Sequence, residues 1–356
     1  MKIAIITDTH WGIRNDNIAF HDNSKRFLDD VFFPTLFRDG ISNILHLGDL
    51  VDRCKYINFL TAKRLREDFL EPLKQNNIEM HLIAGNHDVY YKNTNSVNAL
   101  DELVSGKYQN VHVYDSSPVE LIFDKMPILL LPWINSENKE EIFEAIRKTN
   151  ATIVGGHLEL AGFEMFKGSI NSHGEDPKIF DRFETVLSGH YHHRSTSGNI
   201  HYLGSHAEFT WSDFEDPRGF HILDTKTKEL TFIRNPYRMF YKVWYNDADK
   251  MITEILDHDF EQYKGKMVKV IVTNKTNPYF FDMFIENLEK CNPLEMQIVE
   301  DNLNLYLEND DDIVNEAEST IDIFKTYIDQ INAPNFNKKK LENTIVELYN
   351  EALAVE

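Results

Sequence analysis

The sequence predicts an α/β protein with two β-sheets, and three observations point to this class. Short β-branched apolar runs alternate with helical patterns over the first 83 residues, which is typical of a sheet that begins parallel. From Val111 onward the apolar runs follow one another closely, with prolines between them. Polar motifs, most of them containing glycine, stand at the ends of five runs. A two-sheet α/β sandwich therefore accounts for the pattern better than one doubly wound sheet.

The predicted elements of the large domain, residues 1–238, fall into two blocks. The first block alternates strands at Lys2–Ile6, Asn43–Leu47 and Met80–Ile83 with helices over residues 19–38 and 59–76. The second block has one helix, Glu137–Lys148. Its strands are predicted at Val111–Val113, Val119–Phe123, Ile128–Leu131, Ala151–Val154, Thr185–Leu187, Ile200–Leu203, Gly219–Leu223 and Glu229–Ile233.

A smaller α/β domain, residues 239–300, is predicted after the turn signal Asn235-Pro236. Its pattern is strand, helix, strand, helix, strand, at Tyr241–Tyr245, Asp249–His258, Met267–Val272, Tyr279–Lys290 and Met296–Val299. Residues 301–314 contain three consecutive aspartates, Asp310 to Asp312, and are predicted to form an acidic linker.

Residues 315–356 carry two amphipathic helical patterns. The apolar positions are Ile321, Phe324, Ile328 and Ile331 in the first, and Leu341, Ile345, Leu348 and Tyr349 in the second. A short helical pair behind a linker cannot bury both apolar stripes well by itself. It is therefore expected either to fold back onto its own body or to dock onto another protein.

The composition indicates a globular protein without a membrane span. The 356 residues are 42% hydrophobic, and no apolar run approaches the roughly 20 residues that cross a bilayer. Cys54 and Cys291 have no metal-like spacing, so we expect free thiols in a reducing compartment, the cytoplasm. The net charge of −21 argues against non-specific nucleic-acid binding over the whole surface. The last 58 residues, with 14 acidic and 4 basic side chains, hold −10 of that charge.

Five polar motifs at predicted strand ends carry the functional signal. They are Asp8-x-His10, Gly48-Asp49, Gly85-Asn86-His87-Asp88, Gly156-His157 and Gly189-His190-x-His192. Ligands of open α/β sheets bind at the carboxyl ends of strands, and paired side chains two residues apart point the same way. Carboxylate, amide and imidazole ligands without thiolate suit Mn²⁺, Fe²⁺ or Zn²⁺. Seven candidate ligands suit two ions that share a bridging carboxylate.

The other histidines have a weaker context. His46 and His81 lie inside predicted strands and are interpreted as core or hydrogen-bonded side chains. His173, His193 and His206 lie in loops that could border the site, although a structural or solvated role is favoured. No motif surrounds His21, His112, His201, His221 and His258.

With these motifs the chain resembles the calcineurin-like metallophosphoesterases. Within them it is similar to the SbcD-type DNA repair nucleases, including the recombination endonuclease subunits of T4-like bacteriophages. The closer resemblance is carried by residues 85–93, Ser172-His173-Gly174 and residues 216–220, and it extends over nearly the whole chain. It implies a four-layer α-β-β-α sandwich with a small α/β capping domain for DNA recognition and a C-terminal helical pair.

The resemblance also implies roles for the motif residues. One Mn²⁺ would be held by Asp8, His10, Asp49 and His192, and the other by Asp49, Asn86, His157 and His190; Mg²⁺ is possible instead. His87 would stabilise the charged transition state or protonate the leaving oxygen, and Asp88 would hold the His87 ring. The implied activity is Mn²⁺-dependent cleavage of DNA by two-metal catalysis, as a double-strand exonuclease and single-strand endonuclease.

A partner follows from the same resemblance. It is a coiled-coil ATPase of the SbcC type, with the chain as a homodimer inside a heterotetramer, in the host cytoplasm if the protein is phage-encoded. The helical pair would bind it through Ile321, Phe324, Ile328, Leu341, Ile345 and Leu348. Candidate phosphate contacts are Arg14, Lys92 and Arg194, which follow ligand motifs by two to six residues. The alternative is that each of these three residues is an ordinary solvated side chain.

Two features of the sequence keep other interpretations open. Asp52 stands where some cellular relatives carry a second catalytic histidine, which puts only that auxiliary role in doubt. Residues 48–53 also resemble the signature of protein Ser/Thr phosphatases, in which the arginine grips phosphate, although those enzymes carry glutamate where this chain has Asp88. A phosphatase or phosphomonoesterase on the same site is therefore one alternative, and a non-catalytic adaptor for the ATPase is another.

Overall fold

Two six-stranded sheets form the centre of the computed structural model, which describes residues 1–166, 169–171, 174–300, 338, 339 and 341. The first sheet has the strand order Leu230–Arg234, Gly219–Asp224, Lys2–Ile6, Asn43–His46, Glu79–Ile83, Val111–Tyr114. The second has the order Ser195–Ser197, Ile200–Tyr202, Thr185–Gly189, Ile153–His157, Met126–Leu131, Val119–Phe123. The predicted strands all exist, with bounds that differ by at most three residues.

Three apolar cores show that these sheets are the inner layers of a four-layer sandwich. Ile3 and Leu45 of the first sheet pack with Ile128 and Leu187 of the second, so the two sheets face each other directly. Helices of residues 18–39 and 59–75 cover the outer face of the first sheet. The helix Lys139–Lys148 and the 3₁₀ turn Pro177–Phe180 cover the outer face of the second. The predicted α-β-β-α arrangement is confirmed.

The two long helices on the first sheet each contain a π-helical segment that the sequence pattern did not predict. One helix runs as Ile18–Phe27, Leu28–Phe32 and Phe33–Asp39, and the other as Phe59–Arg64, Leu65–Leu70 and Glu71–Gln75; the middle segment of each is π-helical. Each π segment ends two residues before a proline, Pro34 or Pro72. A helical proline lacks an N–H and its ring clashes with the carbonyl four residues earlier. The wider π turn relieves that clash.

Several short elements connect the sheets. They include the helices Ile13–Asp16 and Ala99–Leu103, the 3₁₀ turn Trp211–Asp213, and the two-stranded pairs Val89–Tyr91 with Thr94–Asn98 and Glu164–Phe166 with Ser169–Ile170. The Val89–Asn98 hairpin lies in a stretch for which the sequence pattern predicted no element. Its strands are short and rich in asparagine, a residue that is usually depleted in strands.

A third sheet is small and parallel, with strands Phe240–Asn246, Met267–Asn274 and Glu295–Glu300. Its helices are Ile252–Leu256, Phe260–Tyr263 and Pro278–Lys290; the first is shorter than predicted. The long helix begins where the Asn277 side chain accepts from the Tyr279 N–H, with Pro278 in the first turn. Residues 1–300 all belong to one compact unit, so the division at residue 238 stays a prediction.

The predicted linker and helical pair lie almost entirely outside the described residues. Of the six candidate partner contacts, only Leu341 is described, in a helical conformation with residues 338 and 339. Ile321, Phe324, Ile328, Ile345 and Leu348 are outside this range. Among the described residues no helix has both the length and the apolar character needed to cross a membrane. Both cysteines are free thiols.

Candidate metal centre

The five motifs converge where the two sheets present the carboxyl ends of neighbouring parallel strands. In the first sheet, Lys2–Ile6, Asn43–His46 and Glu79–Ile83 run parallel, and Asp8, Asp49 and Asn86 follow them. In the second, Ile153–His157 pairs in parallel with Thr185–Gly189, which sets His157 opposite Gly189 and next to His190. Three overlapping groups of potential ligands result: Asp8, His10 and His192; His10, Asp49 and His87; Asp49, His157 and His190.

The first group joins an Asp-x-His pair to the last histidine of the sequence motifs. His10 Nε2 lies 2.9 Å from His192 Nε2. Asp8 Oδ1 lies 4.0 Å from His10 Nε2 and 3.9 Å from His192 Nε2. Asp8 and His10 are fully buried, whereas His192 is partly exposed. Three donor atoms therefore face one small volume.

The group of Asp49, His157 and His190 also includes the side-chain amide of Asn86. Asn86 Oδ1 lies 3.0 Å from His157 Nε2 and 2.8 Å from His190 Nδ1. Asp49 Oδ2 completes the group at 3.3 Å from His157 Nε2. The two groups share Asp49, because the same Oδ2 atom also lies 3.6 Å from His10 Nε2. One buried carboxylate oxygen thus stands between the two sets of nitrogens.

These donor sets fit two divalent ions. Ligand atoms bound at about 2.1 Å stand roughly 3.0 Å apart at right angles and roughly 4.2 Å apart on opposite sides of an ion. The donor separations run from 2.8 to 4.0 Å, close to this range, with those of Asp8 at the long end. Glycines leave the space that the set requires. A Cβ on Gly85 would collide with the Asp49 carboxylate, and one on Gly189 would collide with the Thr7 hydroxyl beside Asp8. The hard and borderline donors match the predicted class of metal.

Four of the candidate ligands have a strained backbone conformation. Asp8, His10, Asp49 and His190 have φ angles of 51°, 43°, 55° and 86°, in the left-handed region that residues with a Cβ rarely adopt. Such conformations cost free energy and persist where the surrounding structure enforces them, often at functional sites. Four of the seven predicted ligands are therefore held in place against their own conformational preference.

Further contacts orient the donor atoms. His157 Nδ1 donates to the Leu47 carbonyl at 2.7 Å, which leaves its Nε2 facing the site. Asp52 Oδ1 lies 3.5 Å from His10 Nδ1, on the far side of that ring from Nε2. The Thr7 hydroxyl donates to Asp8 Oδ2 at 2.6 Å. The hydrogen bonds of His157 and Asp8 are of the kind that fixes the tautomer and orientation of metal-binding side chains. Sequence reasoning missed the Asp52 contact.

His87 sits beside the shared carboxylate but differs from the candidate ligands. Its backbone N–H donates to Asp49 Oδ1 at 2.9 Å, and its ring lies edge-on to His10 at 4.8 Å between centroids. It is only partly buried. Its Nδ1 lies 2.7 Å from the Asp52 carbonyl, to which it donates, so Nε2 is the atom left for chemistry.

The prediction that Asp88 holds the His87 ring is wrong. The Asp88 carboxylate is fully buried and accepts from the Gly85 and Val51 N–H groups at 2.9 and 3.1 Å. Asp88 therefore joins the loop of residues 85–88 to the loop that carries Asp49. The ring of His87 is held by a backbone carbonyl instead, which no side-chain pattern in the sequence could reveal. Burial and the nearby Asp49 charge raise the pKa of Asp88 to about 7.

The electrostatics of the centre separate its histidines into two kinds. Burial disfavours charge on His10 and His157, but the carboxylates around them outweigh it and raise both pKa values to about 9. Asp52, Asp49 and Asp8 act on His10, and Asp49 and Asp8 act on His157. By contrast, burial and the charge of His157 lower the pKa of His190 to about 3. Without metal, two protons therefore partly balance the acidic side chains near neutral pH.

Metal binding is expected to release these protons. An ion needs an unprotonated ring nitrogen, so uptake near pH 7 must displace protons from His10 and His157, whose pKa values are about 9. Affinity should therefore rise with pH up to about 9 and fall on acidification. Calorimetric titration of the apo-protein with Mn²⁺ in buffers of different ionisation enthalpy measures the release directly. His112→Gln, remote from the centre and paired with Glu79, should behave as wild type. Uptake without proton release would contradict the assignment.

The structure leaves the other predicted residues outside the ligand groups. Arg14 lies over the rings of Phe20 and Phe240, Arg194 lies over Phe232, and Lys92 is exposed at the tip of the Val89–Asn98 hairpin. His46 is a buried hydrogen-bond partner of Thr9, as predicted. Two rings that sequence analysis missed flank the centre: Trp133 beside His157 and His190, and Phe209 beside His10 and His192. Neither has a spacing that relates it to the motifs.

Among the loop histidines, His206 is buried, and burial together with the charge of His10 lowers its pKa to about 3. His193 lies 2.8 Å from Asp216 and is partly buried. Both have structural contacts, in line with the favoured interpretation. His173 lies outside the described residues.

Comparison with known proteins agrees with the geometry of the centre. The family model of the calcineurin-like phosphoesterases matches residues 1–194, which include all seven candidate ligands. The chain is 32% identical over 357 aligned residues to "Exonuclease subunit 1" of Enterobacteria phage T4, covering 99% of each chain.

More distant similarity links the chain to the SbcD component of the SbcCD nuclease from two staphylococci. That of Staphylococcus epidermidis is 25% identical, covering 80% of this chain and 79% of the relative. That of Staphylococcus saprophyticus is 24% identical, covering 65% of this chain and 67% of the relative. As the motifs predicted, the chain belongs to the calcineurin-like phosphoesterase family, and it is a metal-dependent phosphodiesterase.

Proposed function

We propose that this protein is a Mn²⁺-dependent DNA nuclease that works in a recombination and repair complex. The observation that carries the proposal is the position of Asp49 Oδ2 between two sets of ligand nitrogens, with His87 beside it. Two ions about 3.5–4 Å apart are the usual arrangement for phosphodiester hydrolysis. The match to a phage exonuclease subunit over the whole chain supports DNA as the substrate.

The candidate ligands divide between the two ions as the donor distances suggest. Asp8, His10 and His192 would hold one ion, and Asn86, His157 and His190 the other, with Asp49 as the ligand of both. When bound, the ions would neutralise charge on the scissile phosphate and acidify the attacking water. The buried Asp88 would keep the loops of Asn86 and Asp49 together.

His87 has the position of an acid–base group. Because Nδ1 donates to the Asp52 carbonyl, Nε2 can carry the proton that the leaving oxygen requires or stabilise charge on the phosphate. Partial burial leaves the ring accessible to a substrate. The same contact gives Asp52 a supporting role in place of the second catalytic histidine found in some relatives.

The position of Arg53 argues against the phosphatase alternative. The guanidinium donates to Asp16 Oδ2 and Asn15 Oδ1, both at 2.9 Å, and lies over the Tyr56 ring. Both partners of the Arg53–Asp16 ion pair are mostly buried. An arginine with these contacts is not positioned to bind a phosphate group, which is the role of the arginine in the phosphatase signature.

The domain and partner assignments complete the proposal. Residues 239–300 would cap the centre and contact DNA, with Arg14, Lys92 and Arg194 as candidate phosphate contacts. Residues 301–314 would be the linker, and residues 315–356 would bind a coiled-coil ATPase of the SbcC type, with two copies of the chain per complex. The names of the staphylococcal relatives support such a complex.

A substrate panel tests the proposed function. The full-length chain is incubated with labelled linear duplex, single-stranded DNA and a phosphopeptide, each with Mn²⁺, Mg²⁺ or a chelator. We expect cleavage of DNA with Mn²⁺, none with the chelator, and little turnover of the phosphopeptide. Arg53→Lys, which keeps a positive charge beside Asp16, should leave DNA cleavage within a few fold of wild type, because the Arg53 guanidinium contacts Asp16 and Asn15 rather than a candidate ligand. Turnover of the phosphopeptide with DNA left intact would overturn the proposal in favour of a phosphatase.

A further inference from the structure

A short hairpin beside the metal centre carries two aromatic residues that have no role in the mechanism above. It is the Val89–Asn98 hairpin, and its first strand begins directly after Asp88. Two consecutive aromatic residues, Tyr90 and Tyr91, are 42% and 48% exposed there. Large aromatic side chains usually bury most of their area, so a pair left open to solvent next to a reactive centre calls for a function.

A network of buried asparagines holds this hairpin rigidly. The Asn95 side chain donates to the carbonyls of Asp115 and Trp133 at 2.7 and 3.0 Å and accepts from Asn135 at 2.8 Å. The Asn98 side chain donates to Asp115 Oδ2 at 2.7 Å. Asn95, Asn98 and Asn135 are all buried. Fully bonded buried networks of this kind fix one conformation, so the hairpin backbone that carries the exposed tyrosines is held in place.

The same hairpin is tied to the metal centre from both ends. The Ala99 N–H donates to the Asp88 carbonyl at 2.7 Å, which closes the hairpin onto the loop that carries Asn86. The ring of Trp133, whose carbonyl accepts from Asn95, lies 5.1 Å from His190 between centroids. Tyr90 follows Asn86 by four residues, so their Cα atoms are at most about 14 Å apart. This distance corresponds to the length of about four stacked nucleotides, at about 3.4 Å for each nucleotide.

The chemistry of the hairpin suits nucleobases. The rings of Tyr90 and Tyr91 lie 4.7 Å apart between centroids and nearly at right angles, so together they present both a ring face and a ring edge. Residues 89–98 contain no acidic side chain, and Lys92 is their one charged residue, in a chain with a net charge of −21. The neighbouring side chains are mainly threonine, serine and asparagine rather than the apolar residues of a protein-docking patch.

We propose that Tyr90 and Tyr91 form a stacking site for unpaired bases of the DNA strand that enters the metal centre. The inference rests on the proposed nuclease function and specifies its substrate. Exposed aromatic rings bind single strands by stacking, whereas bases inside a duplex already stack on one another. The hairpin would therefore favour single-stranded or frayed DNA and would position its backbone over the candidate ligands.

Binding without cleavage tests the site itself. Full-length wild type, Tyr90→Ala and Tyr91→Ala are titrated with a single-stranded oligonucleotide carrying 2-aminopurine, in a chelator, with the base fluorescence and the affinity recorded. We expect each alanine variant to bind between about 5-fold and 100-fold more weakly and to lose the fluorescence quenching that stacking causes. Tyr90→Phe and Tyr91→Phe should restore both, because the ring remains. Phe37→Ala, which removes an aromatic ring 53% exposed on the helix Phe33–Asp39, outside every proposed DNA contact, should bind as wild type.

Cleavage assays separate this inference from the nuclease proposal. Loss of single-strand cleavage through a raised KM, with a much smaller change for bis(p-nitrophenyl) phosphate, would support stacking, since that ester has no base. Unchanged affinity and quenching in both alanine variants would overturn it while wild-type DNA cleavage stands. Equal loss on both substrates would overturn it in favour of a structural role. A defect that appears only when the ATPase is present would overturn it in favour of protein docking. Failure of wild type to cut any DNA would refute the nuclease proposal instead.

Discussion

The His87→Ala variant is expected to lose about 10²- to 10⁴-fold in the rate of DNA cleavage, the range for removing a general acid–base group. Metal content should stay at that of wild type. The physical reason is that the seven candidate ligands already supply both ions, whereas His87 is more exposed than most of them and is therefore accessible to the substrate. Single-turnover cleavage of a labelled duplex, with metal analysis of the same samples, measures both quantities.

A second substrate identifies what His87 does. A p-nitrophenyl ester of thymidine monophosphate has a leaving group that departs without a proton. If His87 protonates the leaving oxygen, the variant should lose much less activity on this ester than on DNA; if it stabilises charge on the phosphate, both losses should be similar. His112→Ala is the matched control, since that ring is remote and half-exposed. A His87→Ala protein that cleaves DNA normally, or that has lost metal, would show that the assigned role is wrong.

Asp49→Asn is expected to have the largest effect on metal binding. The substitution keeps the shape of the side chain and an oxygen that can accept from the His87 N–H, but it removes the negative charge that faces both sets of nitrogens. Even residues that only support a ligand are worth about 10- to 100-fold in metal affinity, and a shared ligand should be worth more. Both ions should therefore be lost together at micromolar Mn²⁺, and DNA cleavage with them.

Titration calorimetry and metal analysis of Asp49→Asn check this expectation, with Asp22→Asn as the matched control. Asp22 is an exposed carboxylate that is paired with Arg64 and belongs to none of the ligand groups, and its replacement should change neither metal content nor cleavage. Thermal unfolding of both variants controls for misfolding. Asp49→Asn protein that still binds two ions and cleaves DNA would rule out the bridging role, and intact repair by that variant would support the adaptor alternative.

The sequence predicted the sandwich well, and the structure brings the candidate ligands together at the strand ends, because both features depend on local rules. The strand bounds follow from apolar runs, and a side chain just past a strand end must lie at the sheet edge. His10 beside Asp8, and His192 two residues after His190, were recognisable for this reason. The positive φ of Asp8 and Asp49 was not predictable, since residues with a Cβ adopt it only when their surroundings enforce it.

The parts that sequence analysis missed depend on contacts between distant segments. The His87 ring donates a hydrogen bond to the Asp52 carbonyl, and the Asp88 carboxylate accepts one from the Val51 N–H. Both contacts form because tertiary packing brings those loops together. The Val89–Asn98 hairpin depends on partners near residues 115 and 133, which no short-range pattern reveals. The π segments reflect a clash between proline and a carbonyl that a helical periodicity does not register.

We propose that the protein hydrolyses DNA with two divalent ions bound by these ligands. Cleavage of a linear duplex, followed while apo-protein of full length is titrated with Mn²⁺, tests it most directly. We expect no cleavage before metal is added and a cleavage rate that rises to a plateau at two ions per chain. Cleavage in the presence of chelator, a plateau at one ion per chain, or no cleavage at any Mn²⁺ concentration would contradict it.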